Sequence, residues 1–308
     1  MKPHRTIRRV EEAEALDGYA KAVAKVVQRA VRPRMIRNML SGAKMGHPLH
    51  PPLTDVPIGA WSMSALLDLV GGRESEPAAD LLVKAGLVTA LPTALTGLND
   101  WSDTLGADRR VGLVHAWANG AALTLYAASA VARHRGNRGS GKALGFAGLG
   151  MMAIGGYLGG HLSFANGVNV NRTAWDQEPT EWTPVLADGD LADGEHRTAD
   201  AAGVEVLLYR KGAAIYAMSA TCTHLGGPLG EGSVENDCVT CPWHGSVFRF
   251  ADGGIERGPA SSPQPHFETR VHNGRIEVRL APADPSDEEG EGGIHQGDRR
   301  PLTRTSTS

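Results

Sequence analysis

CTHLGG at residues 222–227 and CPWHGS at residues 241–246 decide how the C-terminal third of this chain is read. Sixteen residues lie between His224 and Cys241, and each fragment offers one thiol and one imidazole, as Cys222-x-His224 and Cys241-x-x-His244. The chain has 308 residues and three cysteines, two of which stand in these matched pairs. Thiolate and imidazole together suit an iron–sulfur cluster or zinc rather than magnesium or calcium. Gly226, Gly227, Pro228, Pro242 and Gly245 fill the same fragments. That composition is expected where backbone wraps closely around a centre and aims its amides at it. An odd, small number of cysteines makes no disulfide framework.

Outward from the two fragments the apolar period is two. VEVLLY, AAIYAM, CVT, VFRF, HFETRV and RIEVRL are short, rich in β-branched and aromatic residues, and separated by turns such as RKG, ADGG and HNG. This pattern predicts a small all-β domain over residues 182–281. Residues 166–181 read as a linker. Residues 282–308 lack apolar periodicity and read as a disordered tail. A competing zinc set, Cys238-x-x-Cys241-x-x-His244, is also present; otherwise Cys238 reads as a small apolar residue on a strand.

These fragments resemble the Rieske family, whose pattern is Cys-x-His, a gap of about this size, then Cys-x-x-His. The likeness covers about residues 182–281 and extends beyond the four ligands into CTHLGG and CPWHGS. It implies a 2Fe-2S cluster with Cys222 and Cys241 on one iron, and His224 and His244 on the other, the imidazoles lying near the surface. Imidazole in place of thiolate on one iron raises the potential above that of an all-cysteine ferredoxin. In the high-potential branch of the family two further cysteines join the loops by a disulfide; Gly227 and Trp243 stand at those positions here. That branch also has a serine and a tyrosine that donate to the cluster. Ser246 matches the serine, but Phe248 stands at the tyrosine position and cannot donate. The resemblance therefore implies an intermediate potential. Pro259 matches the proline of the segment that shields the cluster in the family.

The N-terminal half has a different composition. Ala, Leu, Gly and Val dominate four stretches, 53–72, 81–98, 111–132 and 143–164, each near the ~20 residues that cross a bilayer core. Polar breaks GGRESEP, NDWSDTLGADRR and RHRGNRGSGK separate them. GYLGGH contributes two overlapping Gly-x-x-x-Gly repeats, Gly155 with Gly159 and Gly156 with Gly160, which let helix backbones approach in lipid. Residues 45–165 thus predict a four-helix membrane bundle. A soluble bundle is the alternative, since Asp68, Lys84, His115, Asn119 and His161 fall inside the stretches. HPLHPPLTDVPIG, residues 47–59, resembles the start of a family of predicted four-span membrane proteins of unknown function.

In an up-down bundle His47, His50, Asp55, Asp100, His115 and His161 all belong to the end from which the β domain departs. Ionisable groups at membrane depth are costly and suggest a second redox or proton site. His115 and His161 are candidate ligands for a haem or another metal, or a proton shuttle to a bound quinone. The plainer reading is interfacial histidines satisfied by water or carbonyls. Residues 1–44 carry eleven Lys and Arg against four acids. Within them residues 8–31 read as a basic amphipathic helix, lying on an anionic membrane surface or on a partner, or packed on its own protein. No apolar signal segment opens the chain. Near the stretches, Lys and Arg number seven on the terminal side and five on the other, which favours a cytoplasmic β domain.

The fold class expected is therefore an all-α four-helix transmembrane bundle followed by a small all-β Rieske-type domain. The function expected is a membrane-anchored carrier of single electrons between donor and acceptor proteins or quinone, with no nucleic-acid partner. The alternatives are a non-redox zinc or sensing module and a component of a Rieske oxygenase system. With 27 residues after position 281, a catalytic domain following the cluster domain is not expected.

Overall fold

A computed structural model of the chain describes residues 3–281; the tail at 282–308 lies outside the described residues. Seven α-helices come first: α1 (Pro3–Glu11), α2 (Asp17–Ala30), α3 (Arg34–Ser41), α4 (His50–Val70), α5 (Glu76–Trp101), α6 (Gly106–His134) and α7 (Arg138–Gly160). Each of the four apolar stretches falls on one of α4 to α7. Prolines stand in the first turns of α4 and α5, where a missing amide costs nothing. Asn137 caps α7 by accepting the amide of Ser140 at 3.2 Å. Beyond Gly160 the helix widens into a π-helical turn, His161–Ala165.

Helices α4 to α7 pair as two antiparallel hairpins joined through a layer of rings and glycines. The Trp61 indole on α4 stacks on Tyr126 of α6, with centroids 4.1 Å apart. A Cβ at Gly86 of α5 would lie 2.2 Å from Trp61 Nε1, and one at Gly148 of α7 would lie 2.9 Å from the Tyr126 ring. Glycine on the outer helices thus makes room for the rings on the inner contact. Of the two Gly-x-x-x-Gly repeats, only Gly155 and Gly159 face a neighbour, namely Asn119 and His115 of α6. Asp68 and Arg133 are buried together at the end away from the strands, with Arg138 also on Asp68 at 2.8 Å. Leu69, Leu81, Val88, Leu91, Leu95 and Ile154 face outward. Among the described residues, two helices are long and apolar enough to cross a membrane, Arg73–Trp101 and Arg138–Ala165.

The N-terminal arm departs from the single helix expected over residues 8–31. The chain breaks at Ala13, whose ψ of 67° is not helical. The break lets two faces reach the bundle: Ile7 packs with Val111 and Leu158, while Ala20 and Ala24 pack with Trp101 and Leu113. Through these residues the arm packs on its own protein.

Ten strands follow. β1 (Thr183–Ala187), β2 (His196–Ala201), β3 (Val204–Lys211), β4 (Ala214–Ser219), β9 (His266–His272) and β10 (Arg275–Leu280) form an antiparallel sheet in the order β1-β10-β9-β4-β3-β2. β5 (Ser233–Glu235), β6 (Cys238–Thr240), β7 (Val247–Arg249) and β8 (Ile255–Arg257) form a second sheet in sequence order. Leu207, Met218, Val239, Phe248 and Phe250 close one core between them. Val206, Leu208, Phe267, Ile276 and Val278 fill another. The segment between helices and strands is pinned: Asn166 donates to Asp108 at 2.6 Å and Asn169 to Asp100 at 2.7 Å.

Candidate metal centre

The two cysteine loops repeat one backbone turn. In the first, between β4 and β5, the Cys222 amide donates to the Gly227 carbonyl at 2.8 Å and Gly226 donates back to Cys222 at 2.9 Å. In the second, between β6 and β7, Cys241 donates to Ser246 at 2.8 Å and Gly245 donates back to Cys241 at 3.1 Å. Gly226 (φ 80°) and Gly245 (φ 72°) occupy the left-handed region that each turn requires. The consequence is a pair of loops facing each other with equivalent amides. His224 and Leu225 aim theirs at Cys222, and Trp243 and His244 aim theirs at Cys241.

Both thiols are buried and share a hydrogen bond. That bond pushes Cys222 up, helped by burial, and pulls Cys241 down toward the thiolate, helped by the two amides. The imidazoles of His224 and His244 meet edge to face with centroids 5.2 Å apart. Burial is the main force holding both below the usual histidine range, so both are neutral and offer a lone pair. For His224 the neighbouring His244, Arg37 and Arg172 act in the same direction. The donors are therefore grouped two and two. A binuclear group with two protein ligands per metal fits this arrangement. Among the described residues no three His, Cys, Asp or Glu side chains are grouped around a single ion site. Cys238 is not part of the group. It pairs with Arg249 across β6–β7, and alternation puts it on the face opposite Val239, the residue that joins Cys222 and Cys241 in the core.

Close packing replaces a cross-link between the loops. A Cβ at Gly227 would lie 2.7 Å from Cys241 Sγ and 3.2 Å from the Trp243 ring. Buried Ser246 accepts the Ala260 amide at 3.0 Å, which leaves its own proton to donate elsewhere. Phe248 is fully buried in the core. Pro259 follows a cis peptide and lines a cleft beside His224. Gln264, unsuspected from sequence, is buried under the first loop. With its amide oriented by its neighbours, it donates to Thr221 O (3.1 Å) and accepts from Thr223 N (3.0 Å).

One imidazole, His224, is not at the surface, contrary to expectation, while His244 is half-buried. His224 is 7% exposed because the helical half covers it. Asp103, in the turn between α5 and α6, has Oδ2 4.0 Å from His224 Nε2, and its backbone acts as a hydrogen-bond acceptor for His244. Arg37 of α3 pairs with Asp103 and donates to Asn99 at 2.9 Å. Burial is the main influence on the Asp103 carboxyl and pushes it up, while Arg37 opposes this. Neutral contacts join the halves as well. Asn38 accepts the Gly258 amide at 2.8 Å and donates to Glu256 O at 3.2 Å, Ser262 donates to Gly46 O at 3.2 Å, and Arg172 N donates to Thr223 O at 3.1 Å.

The six ionisable residues of the bundle all lie in its strand-side half but do not form one site. His47 and Asp55 are exposed. His50 bonds Thr93 O at 3.0 Å, His115 bonds Gly155 O at 2.8 Å, and Asp100 accepts from Asn99 at 2.9 Å and from Asn169 at 2.7 Å. His161 turns to Glu11 of α1 at 3.2 Å. His115 and His161, the candidate ligands for a haem or metal, thus take different partners, a carbonyl of α7 and the carboxylate of Glu11.

The family model described as Rieske [2Fe-2S] domain matches residues 181–268, and that described as Predicted membrane protein (DUF2231) matches residues 46–172. Ferredoxin CarAc of Metapseudomonas resinovorans is 35% identical over 98 residues, which cover 32% of this chain and 92% of that protein. The anthranilate 1,2-dioxygenase ferredoxin subunit of Burkholderia cepacia is 29% identical over 100 residues, covering 32% and 93%. Among solved structures, a complex of reduced oxygenase and oxidized ferredoxin in carbazole 1,9a-dioxygenase is 33% identical, covering 32% of this chain and 94% of that chain, with a TM-score of 0.31.

Proposed function

The chain belongs to the Rieske [2Fe-2S] domain family, and from that premise we propose that it is a membrane-anchored carrier of single electrons. Cys222 and Cys241 hold one iron of a 2Fe-2S cluster, and His224 and His244 hold the other. The observation that carries this reading is the repeated turn that gives two buried thiols matching amide support, with two imidazoles edge to face beside them. When bound, the cluster supplies reversible one-electron chemistry. The protein's part is to orient the four ligands, exclude water from both thiols, and provide donors. Ser246 is such a donor and Phe248 is not, so the potential lies between the low and high branches. One electron arrives from a donor protein and one leaves to an acceptor protein or a quinone. The similarity to ferredoxins named for dioxygenases supports protein partners.

Helices α4 to α7 all cross the membrane in this reading. Outward-facing Leu69, Leu81, Val88, Leu95 and Ile154 support it. The carboxylates of α5 also stand at two levels: from Asp80 to Asp100 the rise is about 30 Å, near the thickness of a hydrocarbon core. The excess of Lys and Arg at the strand-side end favours a cytoplasmic cluster.

The test is purification from membranes of cells supplied with iron and sulfide, followed by metal analysis, a visible spectrum, and electron paramagnetic resonance after reduction. Two irons, two sulfides and a signal that appears on one-electron reduction are expected, and Cys222→Ser should abolish them. A colourless, zinc-containing preparation would overturn the reading.

A further inference from the structure

We propose that the turn between α5 and α6 is a built-in docking partner for the imidazole edge, and that the ion pair of Arg37 with Asp103 beneath it sets the potential of the group the four ligands hold. The inference rests on the electron-carrier reading and adds to it a role for the helical half.

Connecting turns ordinarily lie in solvent. This one does not: Ser102, Asp103 and Thr104 are all buried. Its shape is held from the helical side, by Gln28 donating to Ser102 O at 2.8 Å and Trp101 donating to Arg109 O at 2.9 Å. Onto this prearranged surface His224 and His244 settle, one beside the Asp103 carboxylate and the other against its backbone. The helical half thereby covers His224 and leaves His244 half-buried beside exposed Trp243, so the turn is what the covered side of the edge contacts.

An ion pair is an odd choice for adhesion. Its side chains are 4% and 3% exposed, and burying two charges costs desolvation that their attraction repays incompletely. Asn38, Ser262 and Thr223 already join the halves through neutral hydrogen bonds. What a fixed buried charge does well is act on a neighbouring change of charge, because little water screens it. One-electron reduction makes the ligand set more negative by one unit. The carboxylate of Asp103 opposes that, and the guanidinium of Arg37 favours it. The charge of Arg172 also acts on His224 and that of Arg109 on His244, and both are left in place in the test. Arg37 is a positioning and tuning residue in this account, as is Asp103; neither is a ligand.

The experiment is a redox titration of the full-length, cluster-loaded chain in detergent, followed by visible circular dichroism and paramagnetic resonance. Asp103→Asn should raise the midpoint potential, Arg37→Gln should lower it, and Arg37→Lys should stay near the unsubstituted protein. Asp252→Asn, an exposed carboxylate away from the imidazoles, should leave the potential unchanged. Opposite shifts from the first two variants support the inference, since loosened packing alone gives no reason for opposite signs. No shift, or shifts of the same sign, overturn it. If Arg37→Gln does not retain the cluster, Asp103→Asn decides alone: a rise supports the proposal, and an unchanged or lower potential overturns it. Absence of a cluster from the unsubstituted chain would strike the carrier reading instead.

Discussion

Ser246 carries two jobs in one hydroxyl. It accepts the Ala260 amide at 3.0 Å, and in the proposed reading its proton donates to the cluster. Ser246→Ala should therefore lower the midpoint potential in a redox titration. It should also destabilise the fold by about 1–3 kcal/mol, the cost of an orphaned buried amide, read by thermal unfolding. Gly227 makes a different demand, since a Cβ there would press on Cys241 Sγ at 2.7 Å. Gly227→Ala should drive the loops apart and reduce bound iron, measured as visible absorbance per chain. The two Cys–His pairs were legible from residue type and spacing, and their proposed roles as ligands came with the family resemblance. Gln264, Arg37 and Asp103 were not: Arg37 reads as one more charge in a basic arm, and Asp103 as part of a polar break between helices. Arg37 reaches Asp103 across 66 residues and Asp103 reaches His224 across more than a hundred, and only those contacts bring either to the proposed metal centre.

At the scale of elements, the bundle depends on glycine facing large rings. Gly86 against Trp61 and Gly148 against Tyr126 make the shortest approaches in that layer. Gly86→Ala should cost about 1–3 kcal/mol through overpacking, seen as a lower midpoint of thermal unfolding in detergent. The positions of the four long helices were legible, because apolar composition and polar breaks mark them directly. Their lateral contacts were not, and the Gly-x-x-x-Gly pattern shows why. Gly155 and Gly159 meet α6, while a Cβ at Gly156 would meet nothing within 4 Å. Two repeats offset by one residue lie on different faces of a helix, and a sequence does not say which face has a neighbour. The arm posed the same difficulty, since an amphipathic helix fits a membrane surface as well as a protein.

For the whole molecule, the expected behaviour in membranes follows from the outward-facing leucines and valines of α4 and α5. High-salt and alkaline washing should leave the chain in the membrane pellet, and detergent should release it; release by salt alone would overturn the anchored reading. Reporters inserted at Gly136 and joined after residue 281 should report opposite sides of the membrane. What the sequence by itself determined was chemistry and composition: a two-plus-two set of soft and borderline ligands, a period-two domain around it, and a run of helices before it. These are local properties, written in spacing and residue type. The tertiary structure alone decided that His224 faces inward onto an Arg–Asp pair and that His161 is taken by Glu11. It likewise decided that Cys238 stands on the wrong face for zinc. Each of those depends on which surfaces meet after folding, and burial of a charge or a ring by a distant segment leaves no periodic trace in the chain.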